Sequence, residues 1–217
     1  MLVRDDGSIA GTLGGGCLEA EVVQASLIAI KNGLPATMPF RLTENQGGLV
    51  CGGKVLVYIE PILPDTALII LGAGHVGRAL ATAARFIGFG VTVVDNREEY
   101  ANRENIPDAH EIVVDDFGRA LSHVAVSNAA FIVIATRGHN HDLEALKAAL
   151  RTDARYIGLL GSKRKKALLL NTLKKEGFSK TDIARVITPV GLPIGSVTPE
   201  EIAISITAQM IEHKNMR

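Results

Sequence analysis

The chain has 217 residues, a length that suits one domain with a sizeable core, or a small unit joined to a domain of ordinary size. Its 23 basic and 23 acidic residues cancel, so no global field draws in nucleic acid or an anionic membrane. Two cysteines are too few for a disulfide framework, no apolar run approaches the roughly 18 residues of a membrane span, and the opening "MLVRDDGSIAG" is no signal peptide, which together read as a soluble, cytoplasmic protein.

Apolar residues make up 47% of the chain and aromatics only 4%, with no Trp, so the core is built from Ala, Val, Ile and Leu. That bias, with glycine-rich turns, suits a parallel α/β sheet whose strands are buried on both faces. Taken in chain order, "MLVRDDGSIAGTL" predicts a hairpin closed by a type I′ turn at Asp6-Gly7. The spacing of "CLEAEVVQASLIAIKNG" predicts a helix from about Leu18 to Ile30, with Gly33 as its stop. "KVLVYIEPI" reads as a strand, and the prolines between Pro61 and Asp65 mark a linker, dividing the chain into units 1–63 and 64–217.

Beyond the linker the pattern alternates strand and helix. "ALIILGAGHVGRALATAARFIGFGVTVVDNR" is a buried strand, a glycine turn, a helix and a second strand ending at Asp95. "HEIVVDD" and "AAFIVIATRGHNHD" supply a third and a fourth strand, the latter followed by a helix through "LEALKAAL". "RYIGLLGSKRKKALLLNTLKKEG" is a fifth strand with its helix, and "ARVITPVGLPIG" holds a short sixth strand. The last helix opens at "TPEEIAISITAQMI", with Thr198 as cap, Pro199 at the first helical position and Glu201 completing a capping box. Repeated βα units imply right-handed crossovers and a Rossmann-like, doubly wound parallel sheet, preceded by a small, incomplete α+β unit.

Four stretches carry chemistry. In Gly72-Ala73-Gly74-His75-Val76-Gly77, Gly72 permits a tight turn, Gly74 lets the backbone approach a pyrophosphate, and Gly77 lets helix and strand pack closely. His75 lies at the same turn. Asp95, 18 residues after Gly77, is placed for a ribose hydroxyl, and Arg97 leaves NAD versus NADP open. After the fourth strand, "ATRGHNHD" brings Arg137, His139, His141 and Asp142 to the topological switch point, a cluster suited to a phosphate, a metal or a reacting proton. Metal binding fits less well, because extended backbone would turn His139 and His141 to opposite sides and Asp142 suits an N-cap. In "GSKRKKA", Ser162 caps a helix whose first turn carries Lys163, Arg164, Lys165 and Lys166. Cations there oppose the helix dipole unless an anionic partner compensates them, the alternative being a solvated basic face.

The fourth stretch is "LGGGCLEAEVV". Gly14, Gly15, Gly16 and Cys17 at a helix start leave backbone N–H groups and a thiol facing a ligand at the positive end of the helix dipole. Cys51, in "LVCGGKV", has similar company. Two thiols beside glycine runs suit a soft or redox-sensitive ligand, against the alternative of glycine turns with incidental cysteines. Zinc lacks four suitably spaced ligands, and a Cys17–Cys51 disulfide is at odds with a reducing cytosol.

Together these stretches resemble the XdhC/CoxI family, the xanthine dehydrogenase accessory factors. "GGGCLEAEV" and "CGGKVLVYIEP" carry the N-terminal part. "IILGAGHVGRAL", "VVDNREEYANRENIPDA", "ATRGHNHD", "YIGLLGSKRK" and "PVGLPIGSVTPEEIAISI" carry the Rossmann part. The resemblance implies a non-catalytic factor that binds the molybdenum cofactor, a molybdopterin, assists its sulfuration and inserts it into a molybdenum hydroxylase apoenzyme such as xanthine or carbon monoxide dehydrogenase. A cysteine desulfurase-type sulfurase is a further expected partner. Gly15, Gly16, Cys17 and Cys51 are then placed near the molybdenum end. Gly72, Gly74, Gly77 and Asp95 are placed on a nucleotide, either NAD(P) or the cofactor's own. His75, Arg97, Arg137, His139, Ser162 and Lys163 are candidate contacts to the same ligands. Family members carry a helix, a strand and a "GS-x-PR-x-G" loop before the counterpart of "MLVRDDGSIAG", so the N-terminal unit is expected to be shortened, which favours a homo-oligomer. Rival readings are an NAD(P)-dependent oxidoreductase using His139 or His141, and a nucleotide-sensing regulatory domain.

Overall fold

The computed structural model describes residues 1–42, 53–62 and 65–216. The chain divides into two compact units, Met1–Pro64 and Asp65–Arg217.

In the first unit, β1 (Leu2–Val3) and β2 (Ile9–Ala10) form an antiparallel hairpin. Its turn is not type I′, which needs positive φ at both central residues, whereas Gly7 has φ +82° and no non-glycine residue has positive φ. Instead Gly7 N–H donates to Arg4 O at 3.0 Å and Arg4 N–H to Ser8 O at 2.9 Å. Asp6 Oδ1 accepts the Ser8 N–H at 2.8 Å, so a carboxylate closes the loop that Asp6 was expected to shape by its backbone.

Helix α1 (Gly16–Asn32) buries Leu18, Val22, Ser26 and Ala29 and ends at Gly33, φ +65°. The Leu34 N–H reaches back to Ala29 O at 3.3 Å, the bond pattern of a left-handed glycine stop. β3 (Ala36–Leu42) pairs antiparallel with β4 (Gly53–Ile59). The sequence reading contains β4 but not β3, because Pro39 interrupts it. In a two-stranded ladder each strand has an outward side, where a missing N–H forfeits no bond. Leu18, Val22, Ala29 and Ile59 form the small core of this unit.

In the second unit the order is β5 (Thr66–Leu71), α2 (His75–Phe86), β6 (Phe89–Asp95), β7 (Glu111–Val114), α3 (Phe117–Ala120), β8 (Phe131–Ile134), α4 (His139–Leu150), β9 (Tyr156–Leu159), α5 (Lys163–Lys175), α6 (Lys180–Ala184), β10 (Val186–Ile187) and α7 (Pro199–Asn215). Six parallel strands lie in the order β7-β6-β5-β8-β9-β10. The order reverses between β5 and β8, where a doubly wound sheet opens a crevice above its strand ends. Successive β5 residues alternate faces: Leu68 and Ile70 join Leu80, Ala84, Ile206 and Met210, while Ile69 and Leu71 join Phe117, Leu146 and Leu169. Both faces are therefore dry, which is why this strand reads as an unbroken aliphatic run.

Helix α7 opens with the expected capping box, Thr198 and Glu201 exchanging bonds with each other's backbone. Gln209 Oε1 on α7 accepts the Tyr156 hydroxyl at 2.7 Å and the Gly191 N–H at 2.9 Å, tying helix, β9 and the loop after β10 together. Among the described residues, no helix is long and apolar enough to cross a membrane.

The β5–α2 turn admits no side chain at two points. A Cβ at Gly77 would lie 1.9 Å from Gly72 O, and one at Gly72 would lie 2.4 Å from Ala135 O. Gly77→Ala is therefore expected to destabilise the second unit by about 3 kcal/mol through overpacking, read from urea denaturation curves.

Candidate functional site

The glycine turn stands at the reversal of strand order. Gly72 has φ +120°, a backbone conformation open to glycine, and its N–H donates to Val94 O at 2.7 Å. Gly74 is the N-cap of α2 in extended backbone, with no side-chain cap. A Cβ there would meet nothing within 4 Å, so the turn faces open space. The first N–H groups of α2 are thus left to solvent or a ligand. His75, the first residue of α2, is exposed.

Asp95 ends β6 and is only 1% exposed. One carboxylate oxygen accepts the Arg97 N–H at 3.1 Å and Arg97 Nε at 2.9 Å. The other accepts the Ala73 N–H at 2.8 Å and Arg97 Nη2 at 2.9 Å. Burial pushes this carboxyl up, but the Arg97 guanidinium and the Ala73 amide outweigh it, and the net shift is downward. Arg97 in turn lies 3.9 Å over the Tyr100 ring. The acid placed for ribose in the sequence reading thus also binds its own glycine turn and the Arg two residues on.

The segment after β8 departs from its expected form. His139 and His141 are not in extended chain: they are the first and third residues of α4, whose N-cap is Gly138 with φ +89° and no side-chain cap. Asp142 is not the N-cap. It is the fourth residue of the helix, fully buried, accepting the Thr136 hydroxyl at 2.7 Å and ion-paired with Lys165 Nζ. One cation of the basic run therefore has an internal carboxylate for a partner. Ser162 caps α5 as expected, accepting the Lys165 N–H at 3.3 Å, and Lys163 is the first residue of that helix.

Between the ends of β6 and β8 lies a pocket of about 100 Å³ lined by Asn96, Arg97, Phe117, Arg137 and His141. Phe117 and His141 meet edge to face at 5.6 Å, and His141 Nδ1 is 3.6 Å from Glu144. Arg137 is exposed. Asn96 and Phe117 are not among the residues the sequence singles out: Phe117 directly follows the strand "HEIVVDD", where a lone Phe signals packing. Its α3 is a single turn, too short for a periodic pattern.

In the first unit, Gly14, Gly15 and Gly16 have φ of +109°, +77° and +72°. Gly15 is the N-cap of α1 and offers no side-chain cap. A Cβ at Gly14 or Gly15 would meet nothing within 4 Å, and Cys17 is exposed with a free thiol. Glu19 accepts the Thr12 hydroxyl at 2.7 Å and the Leu13 N–H at 3.0 Å, steadying the entry to the glycine run. The Gly14 N–H donates to the Thr12 hydroxyl at 3.0 Å and the Gly15 backbone bonds to the Glu19 carboxylate, so the amides that fit an anionic ligand are those of Gly16 and Cys17, with a soft sulfur beside them for a soft metal. Cys51 lies outside the described residues. Among the described residues, no group of three or more His, Cys, Asp or Glu could hold a metal ion.

The parallel sheet, its strand reversal and the glycine turn define the second unit as a Rossmann-type domain of α/β class. The chain belongs to the XdhC/CoxI family: the XdhC Rossmann domain matches residues 68–210, and the XdhC and CoxI family matches residues 1–41. It is 39% identical to the uncharacterized protein YqeB of Escherichia coli (strain K12), over 99% of this chain and 40% of that one. It is 33% identical to a probable xanthine dehydrogenase subunit of Bacillus subtilis (strain 168), over 72% of this chain and 45% of that one. The chain thus spans less than half the length of these two curated relatives. A crystal structure described as a xanthine dehydrogenase from Bacillus halodurans superposes with a TM-score of 0.62 at 26% identity, over 97% of this chain and 84% of that one.

Arg97→Ala leaves the Asp95 carboxylate buried without its main partner and is expected to cost about 3 kcal/mol at neutral pH. Because Asp95 is held below its ordinary value of 3.8, its contribution is complete above that pH and is lost as pH falls below it. The gap between wild type and variant in urea denaturation should therefore narrow below pH 3.8.

Proposed function

We propose that this chain serves the maturation of a molybdenum hydroxylase of the xanthine dehydrogenase type, binding the molybdenum cofactor and assisting its sulfuration and its insertion into the apoenzyme. The observation that carries this reading is the open start of α1, where a left-handed glycine run and an exposed thiol stand together. The membership of the family and the likeness to a probable xanthine dehydrogenase subunit support it. When bound, the cofactor supplies a phosphate and a soft, dithiolene-held metal. The main-chain amides of Gly16 and Cys17, next to Gly15, would meet its anionic part, and the Cys17 thiol, with Cys51, would offer sulfur to the metal end. The hydroxylase apoenzyme and a desulfurase-type sulfurase are the partners of this reading, which places the protein in the cytoplasm and as a homo-oligomer.

The Gly72–Gly77 turn is assigned to a nucleotide, because open space faces Gly74 and no side chain caps α2. His75, Arg137, His139, Ser162 and Lys163 belong to the crest of helix starts and strand ends around it.

Purification under anaerobic, cofactor-replete conditions, followed by mass spectrometry for pterin and nucleotide and by metal analysis, tests the carrier role. Wild type should retain pterin and molybdenum, and Cys17→Ala at least about tenfold less, the loss that even an outer-shell partner of a metal typically causes. Equal retention by the variant would remove sulfur from the reading. Gly74→Ala should change stability by less than about 1 kcal/mol while weakening nucleotide binding in calorimetric titration.

A further inference from the structure

We propose that the pocket between β6 and β8 receives the 2′-phosphate of an adenine dinucleotide, so that the glycine turn takes NADP in preference to NAD. The inference rests on the reading that this turn binds a nucleotide and adds which one.

In a doubly wound sheet of this order, a pyrophosphate at the start of α2 directs the adenosine ribose toward the end of β6. There an NAD site presents a carboxylate to the ribose 2′-hydroxyl, and an NADP site presents an arginine to the phosphate that replaces it. Here the carboxylate is spoken for. A carboxylate offers about four lone-pair directions, and Asp95 directs its two oxygens to the Ala73 N–H and to three N–H groups of Arg97. A ribose hydroxyl would have to displace one of these in a site where Asp95 is 1% exposed.

The neighbouring cations are arranged the other way. Arg97 uses Nε and Nη2 on Asp95, and its Nη1 takes part in no hydrogen bond among the described residues. Its charge is offset by Asp95, so it orients more than it attracts. Arg137 is different: it is exposed, lines the pocket, and has no hydrogen bond or ion pair among the described residues. His141 completes the lining, with Glu144 as the acid beside it. The uncapped start of α4 adds backbone donors next to the same residues. About 100 Å³ is roughly the volume of three waters, room for one phosphate. A free arginine beside a pinned one, over a space of that size, matches the planar, multidentate way guanidinium groups hold phosphate.

Isothermal titration of the full chain with NADP⁺, NAD⁺ and 2′,5′-ADP tests this directly, on wild type, Arg137→Ala and Arg137→Glu. Because Arg137 is exposed and unpartnered, both variants should melt within a degree or two of wild type. Wild type should bind NADP⁺ at least about tenfold more tightly than NAD⁺, the factor one charged hydrogen bond supplies. It should also bind 2′,5′-ADP, and both variants should lose the preference because NADP⁺ weakens about tenfold more than NAD⁺ does. Equal or tighter binding of NAD⁺ by wild type would overturn the proposal and leave the nucleotide reading standing. A preference for NADP⁺ that survives in both variants would overturn the assignment to this pocket. If neither dinucleotide nor 2′,5′-ADP binds, the nucleotide reading itself fails, and this proposal with it.

Discussion

At the junction of β5 and α2 the polypeptide touches itself with no space for a methyl group, Gly77 against the carbonyl of Gly72 and Gly72 against that of Ala135. Everything at the crest of the second unit follows from that closeness. It draws the start of α2 over the end of β5 and leaves its first amides without a side-chain cap. It also brings Ala73 within 2.8 Å of the Asp95 carboxylate, so the turn is fastened to the end of β6 by a charge-assisted bond. The same carboxylate fastens Arg97, so the glycine turn and the edge of the pocket are set by a single buried group.

Two kinds of cation surround this crest, and the difference between them matters for function. Lys165 faces an anion supplied by the protein, Asp142, which is buried and also holds Thr136 at the end of β8. That part of the basic run is explained by structure alone. Arg137 has no such internal partner among the described residues, and an unbalanced guanidinium beside a glycine turn is the more informative sign of an external anion. In the first unit the corresponding sign is the left-handed glycine run before Cys17. There Glu19 satisfies the chain leading into the helix and leaves the thiol exposed.

Much of the second unit was readable before any coordinates, because its strands are buried on both faces and so appear as aliphatic runs bounded by glycine. The strand reversal and the capping box at Thr198 followed from the same signals. What escaped has physical reasons. β3 contains Pro39 and, among the described residues, pairs with β4 alone; α3 and α6 are too short for a periodicity to emerge. The hairpin dipeptide Asp6-Gly7 named the right place and the wrong turn, since the Asp6 side chain bridges to Ser8 N–H and its backbone keeps negative φ. For the site, spacing located Gly72, Gly74, Gly77 and Asp95, but only the fold could reveal that Asp95 is bound by Arg97. Likewise only the fold shows Asp142 turned inward to a lysine 23 residues later, not outward as a cap. Polar partners far apart in sequence leave no pattern in it.

The unequal cores of the two units have a thermodynamic corollary. Among the described residues, four buried apolar side chains form the cluster joining α1 to the β3–β4 ladder, against two extensive clusters on either side of the parallel sheet. Amide protons around the exposed thiol should exchange with solvent through small local openings, whereas those of β5, β6 and β8 should wait for global unfolding. A single melting temperature would then describe the sheet and say little about the helix that carries Cys17.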